Sequence, residues 1–257
     1  MLLIHFSQNA IADKPLSPEQ IIEKGNDASK VKGLQAVATL IIVDQKGRKR
    51  IKNYAQVSKM TKDGDTEKVL FKFLSPADVK GIGILTYDYH KADDDTWIYL
   101  PSLRKTRRIV SSQKSKSFMG SEFSYADTSR PIIDDFKYTN LGKAVVKGQT
   151  CWVIQAIPKT DDVADENGFT KKISWISKAD FIERKADYYD YQGEIFKQLA
   201  VNQVKEIDAV NHKYKIMDMV MTNVKNNRKS IFKYNDIKFT PENNDAYFTS
   251  RFLEKGR

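Results

Sequence analysis

A single cysteine, Cys151, stands among the 257 residues, so no intrachain disulfide can form and no cysteine-based zinc site is possible. The three histidines, His5, His90 and His212, lie too far apart to give the HxxxH type of metal-ligand spacing. No stretch approaches the roughly 18 consecutive apolar residues of a membrane-spanning helix. Enzyme fingerprints are missing too: there is no GxGxxG, no Walker phosphate loop, no GxSxG elbow and no HExxH. The carboxylates Asp93, Asp94 and Asp95, and Asp134 with Asp135, are immediate neighbours in sequence. Adjacent residues on a strand point to opposite faces, which disfavours a shared acid–base site. We therefore expect a non-catalytic protein with no metal and no cofactor. Twelve Gly and seven Pro are also too few for a collagenous or low-complexity chain.

What is present is a folded composition, with 40% apolar, 30% charged and 11% aromatic residues and length enough for a sizeable core. Forty-three Lys and Arg against 33 Asp and Glu leave a formal charge of +10, which favours anionic partners. Six of the cations, Arg104, Lys105, Arg107, Arg108, Lys114 and Lys116, crowd together just after Leu100-Pro101. Such a run is either a solvated face or a grip for phosphate. Residues 102–117 contain no aromatic side chain on which bases could stack, so nucleic acid is not expected, and an anionic lipid or an acidic partner fits no worse.

Along the chain, Ser17-Pro18-Glu19-Gln20 predicts a helix start with Ser17 as N-cap, Pro18 at the first helical position and Gln20 completing a capping box, and Gly33 closes the segment. The apolar period then changes to two over 34–43, 50–60, 66–75, 82–90 and 95–100, and again over 144–157, 170–177, 180–189, 192–203, 213–223 and 229–238. Residues 101–142 between these groups predict a long loop with one or two short helices. The expected fold is mainly β (α+β), a strongly curved antiparallel sheet of about eleven strands in one domain, residues 13–257. Before it, an apolar run over 1–6 and Ala10-Ile11-Ala12 match the tail of a secretory signal peptide (residues 1–12) or a frayed terminus.

Strand 213–223 places Met217, Met219 and Met221 on one face and Tyr214, Ile216 and Val220 on the other. A strand apolar on both faces needs a cover on both. A methionine row suits ordinary core filling or a surface that adapts to acyl chains. Trp97 with Tyr99 repeats the habit on another strand.

Residues 97–109, WIYLPSLRKTRRI, followed by 117–127, SFMGSEFSYAD, closely resemble the signature of the outer membrane lipoprotein-sorting proteins, the LolA-like group. Further matches to it stand at 219–223, MVMTN, and 245–253, DAYFTSRFL. The resemblance implies a LolA/LolB-like incomplete antiparallel β-barrel whose concave apolar side is closed by helices. It also implies export to the periplasm of a Gram-negative bacterium. The implied role is a monomeric carrier that binds lipid or lipoprotein acyl chains for trafficking toward the outer membrane. The alternative is a docking or sensing module for an RND-type transporter or inner-membrane complex. On this reading Trp97, Tyr99, Phe118, Met119, Met217, Met219 and Met221 line the cavity. Arg104, Lys105, Arg107 and Arg108 form a rim for head groups or an acidic partner.

Overall fold

A computed structural model describes residues 15–255, so the signal-peptide remnant expected over residues 1–12 lies outside the described residues. The first element follows from its cap. The Gln20 amide donates to Ser17 Oγ at 3.2 Å and the Ser17 amide donates to Gln20 Oε1 at 2.9 Å, opening α1 (Pro18–Ser29). Gly33 does not end this helix, which stops four residues earlier; it opens β1 (Gly33–Val43) instead. A Cβ there would lie 2.5 Å from the Thr240 carbonyl oxygen and 3.0 Å from that of Ser58, so close approach of neighbouring strands requires the glycine.

The remaining elements are β2 (Lys49–Met60), β3 (Thr66–Ser75), β4 (Gly83–Tyr89), β5 (Asp95–Leu100), β6 (Lys105–Ile109), β7 (Phe136–Val146), β8 (Gln149–Pro158), α2 (Asp161–Asn167), β9 (Lys171–Ser177), β10 (Glu183–Tyr189), β11 (Ile195–Asp208), β12 (Lys213–Asn223), β13 (Arg228–Phe239) and α3 (Ser250–Lys255). All thirteen strands form one antiparallel sheet, in the order β6-β5-β4-β3-β2-β1-β13-β12-β11-β10-β9-β8-β7. The chain thus begins in the middle of the sheet, walks out to one edge, crosses once to the other edge and walks back.

The count is thirteen rather than eleven, and the two strands that periodicity misses are the two edges. β6 is the basic run itself; with one long side open it carries charge where a central strand would alternate, and charge on an edge discourages pairing with another chain. β7 buries Phe136 and Tyr138, but most of the residues after them are exposed, and a bulge between Asn140 and Gly142 breaks the pattern further.

Side chains from β7 and β12 meet around one cavity although these strands stand five positions apart, about 24 Å in a flat sheet. The sheet is therefore curled. The Lys147 ammonium, in the β7–β8 turn, likewise reaches across to the Val201 carbonyl of β11 at 3.0 Å.

The two faces carry separate cores. The inner face holds the larger one, in which Leu40, Tyr54, Phe73, Ile84, Ile154 and Met221 are almost wholly buried. The outer face of β3–β5 holds a smaller one, where Leu70 and Leu85 meet Phe248 and Leu253 from the C-terminal segment. Helices were expected to close the concave side. α1 does pack against β12 and β7, but α3 docks on the outer face against β4. On the inner side α2 packs against β8 and the crossing and brings Glu166 and Asn167 to the cavity, and the crossing itself, residues 110–135, completes the cover with 3₁₀ turns as its helical elements.

This crossing strap owes its shape to the FMGS run. Met119 and Gly120 both take positive φ (53° and 78°), and the Ser121 amide donates to the Phe118 carbonyl at 3.0 Å, giving a tight primed turn. Around it Ser117 bridges Ser124, so residues 117–124 form a small hairpin within the strap. Phe118 at its tip packs edge-on to Phe71 and Tyr125. Charge pins it down: buried Lys52 donates to the Met119 carbonyl, and the half-exposed Arg228 guanidinium lies 3.0 Å from the buried Glu122 carboxylate. Asp127 accepts hydrogen bonds from Lys197 at 2.8 Å and from the Ser124 amide at 2.7 Å.

Burial alone would raise the Asp127 carboxyl, but Lys197 and Ser124 outweigh it and hold the group below its usual range. Its contribution to stability is present above the unfolded value near pH 4 and is lost as pH falls through the depressed one. Asp127→Ala leaves a buried ammonium without a counter-charge and is expected to cost about 3–5 kcal/mol in urea unfolding at pH 7. The gap to the native protein should narrow below about pH 4. Equal urea midpoints at pH 7 would contradict the pinning role.

Candidate functional site

Between α1, the strap and the inner face of β7–β12 lies a cavity of about 380 Å³. Met219 and Met221 of β12, Leu199 of β11, Ile176 of β9 and Ala156 of β8 line it because alternate residues of these strands face inward. One wall is aromatic. Phe136 stacks on Phe169 (6.0 Å, 20°), packs against Tyr138 (6.0 Å), and Phe169 meets Tyr188 edge-on at 5.5 Å. Ile22 and Phe123 enter from α1 and the strap.

The polar side of the cavity is charged, and its cations are committed. Lys114 pairs with Asp93 at 3.1 Å and stands 3.8 Å from Glu166. Lys172 pairs with Glu183 at 3.0 Å, and Arg130 with Asp88 at 2.9 Å. Asp94 and Asp135 also line the space; both carboxyls are raised, first by burial and then by neighbouring carboxylates, Asp93 in each case.

Of the residues expected around a cavity, Met219 and Met221 line this one, and Phe118 and Met119 pack in the same inner core without bordering it. Met217 is buried elsewhere. Between Gln203↔Asp218 and Val204↔Ile216 the register skips residue 217, so a bulge turns Ile216 inward in its place. Trp97 and Tyr99 lie on the opposite face, in the small core under Phe248 and Leu253. Two stretches of the resemblance, 97–109 and 245–253, thus pack against each other. Arg104 sits in the β5–β6 turn, and Lys105, Arg107 and Arg108 on β6, with Arg108 paired to Asp95; none of the four borders the cavity. The aromatic wall was missed because its first two members fall inside 101–142. The spacing of Phe136 and Tyr138, two apart, was the signal that could have found it.

A family model described as an uncharacterized protein, DUF1329-like, matches residues 65–255. The fold is shared with a DUF1329 family protein from Desulfovibrio piger (TM-score 0.83, 26% identity, 92% of this chain and 97% of that one). It is shared equally with a protein from Vibrio parahaemolyticus described as an outer membrane lipoprotein-sorting protein domain (0.82, 26%, 92% and 98%). A LolA superfamily protein from Nitrosomonas europaea aligns at TM-score 0.68 and 17% identity over 93% of this chain and all of that one, a likeness of fold. No protein of curated function matches the chain.

Asp88, on β4 beside the cavity, accepts from Arg130 Nε, yet its Oδ1 is buried with no partner among the described residues. Burial outweighs the guanidinium and raises the carboxyl to about 7. An acid raised on folding stabilises the fold below its unfolded value and loses that contribution as pH climbs from about 4 to about 7. The Asp88 carboxyl ¹³C shift is expected to titrate near neutrality, and Asp88→Asn to flatten the stability slope between about pH 5 and 7. A midpoint below 4 would contradict this.

Proposed function

The chain belongs to the DUF1329-like family, and from that membership and the apolar cavity we propose that it is a non-catalytic carrier that holds lipid or lipoprotein acyl chains in the periplasm. The observation that carries the reading is the cavity behind the strap. At about 380 Å³ it falls within the range of ligand pockets, and its floor of Met219, Met221, Leu199 and Ile216 adapts to a flexible chain. Each methylene moved from water into such a floor contributes about 0.8 kcal/mol, so one chain of about 14 carbons is held reversibly, as a shuttle requires. The similar Vibrio parahaemolyticus domain, described as lipoprotein-sorting, supports the same class of cargo. The basic edge strand β6, set apart from the cavity, then serves for docking on an acidic partner or an anionic membrane surface rather than for holding the head group.

Uptake of the neutral fluorescent probe N-phenyl-1-naphthylamine by detergent-free protein tests this. Met219→Asp places a charge in the floor and is expected to cut uptake at least tenfold while the far-ultraviolet circular dichroism stays native. Trp97→Ala, on the outer face, is expected to leave uptake per folded molecule unchanged. Full uptake by folded Met219→Asp would contradict the placement.

A further inference from the structure

We propose that the polar end of this cavity takes an ammonium head group and rejects an anionic one, so that the cargo is an amine-bearing amphiphile. The inference rests on the carrier reading and goes beyond it. Each cation that lines the cavity stands within 4 Å of a carboxylate, whereas Asp94 and Asp135 have no cation within 4 Å among the described residues. Burial outweighs the Ser129 hydroxyl and the more distant Lys114 and Arg130 at Asp94. Lys114 and Lys159 act on Asp135 from farther away, but burial with Asp93 and Asp134 outweighs them. The local field is therefore negative inside a protein whose formal net charge is +10.

Tyr138 is an independent observation. It is only 8% exposed, lines the same cavity, and its hydroxyl has no hydrogen-bond partner among the described residues, so the group is free to meet a ligand. Glu19, then Asp135 and Asp134, act on it through space. Its ring belongs to the aromatic wall with Phe136 and Phe169, and aromatic faces attract ammonium groups. Two carboxylates with no ion-pair partner within 4 Å among the described residues, a free phenol oxygen and ring faces together satisfy the donors and the charge of an ammonium. A phosphate or carboxylate brought to the same place would be desolvated beside like charge.

Displacement of N-phenyl-1-naphthylamine by three twelve-carbon amphiphiles at pH 7, each below its micellar concentration, separates the possibilities. Dodecylamine is expected to half-displace the probe at one tenth or less of the concentration of dodecanoate, against the attraction of the net protein charge for the anion. The double variant Asp94→Asn, Asp135→Asn is expected to abolish that preference, and Tyr138→Phe to weaken dodecylamine several-fold, both leaving neutral dodecyl maltoside unaffected. Displacement by dihexanoyl phosphatidylethanolamine but not dihexanoyl phosphatidylglycerol assigns the amine to a phospholipid; displacement by dodecylamine alone assigns it to a free amphiphile, and both support the proposal. Dodecanoate equal to or tighter than dodecylamine, or a preference that survives the double variant, overturns it with the carrier reading intact. Failure of the native protein to take up the probe overturns the carrier reading itself.

Discussion

A sheet that begins in its own middle must cross once from edge to edge, and the pinning of that one crossing governs the rest of the molecule. Residues 110–135 leave β6 and arrive at β7, the strands at opposite ends of the sheet order. The strap lies on the inner face because Phe118 inserts between the aromatic rings of β3 and its own Tyr125, and because charged side chains from β2, β11 and β13 reach it. The buried Lys197–Asp127 pair is costly to form away from water and more costly to break singly, so it favours one seat for the strap. With the strap seated, β7–β12 and α1 enclose a space; without it the same side chains would be an open apolar trough.

The motif residues that carry the family resemblance are, in this light, mostly structural. Gly120 supplies a positive φ for the primed turn, Glu122 and Asp127 are anchors, and Trp97 and Tyr99 hold the C-terminal segment to the outer face. Their presence together in the sequence reports a strapped, two-faced sheet.

How much could be read beforehand follows from the same physics. The capping box at Ser17 and the central strands were legible because both rest on local rules, a hydrogen-bond exchange and a period of two. The edge strands β6 and β7 were not, since an edge has less to bury and its pattern fades. Met219 and Met221 border the cavity and Met217 does not, because of a single bulged residue that no period reveals. Asp94 and Asp135 were set aside for adjacency, a rule of strands that does not apply to Asp94 in the β4–β5 turn or Asp135 at the end of the strap. The basic run drew attention through its density, yet its cations stand on an edge strand away from the cavity.

We propose that the space behind the strap holds an acyl chain in the protein as it is made. Mass spectrometry of organic extracts from protein purified without detergent from a Gram-negative periplasm tests it most directly. The account predicts near-stoichiometric acylated material, lost from a folded Met219→Asp variant prepared in parallel. An empty extract from folded native protein would contradict it.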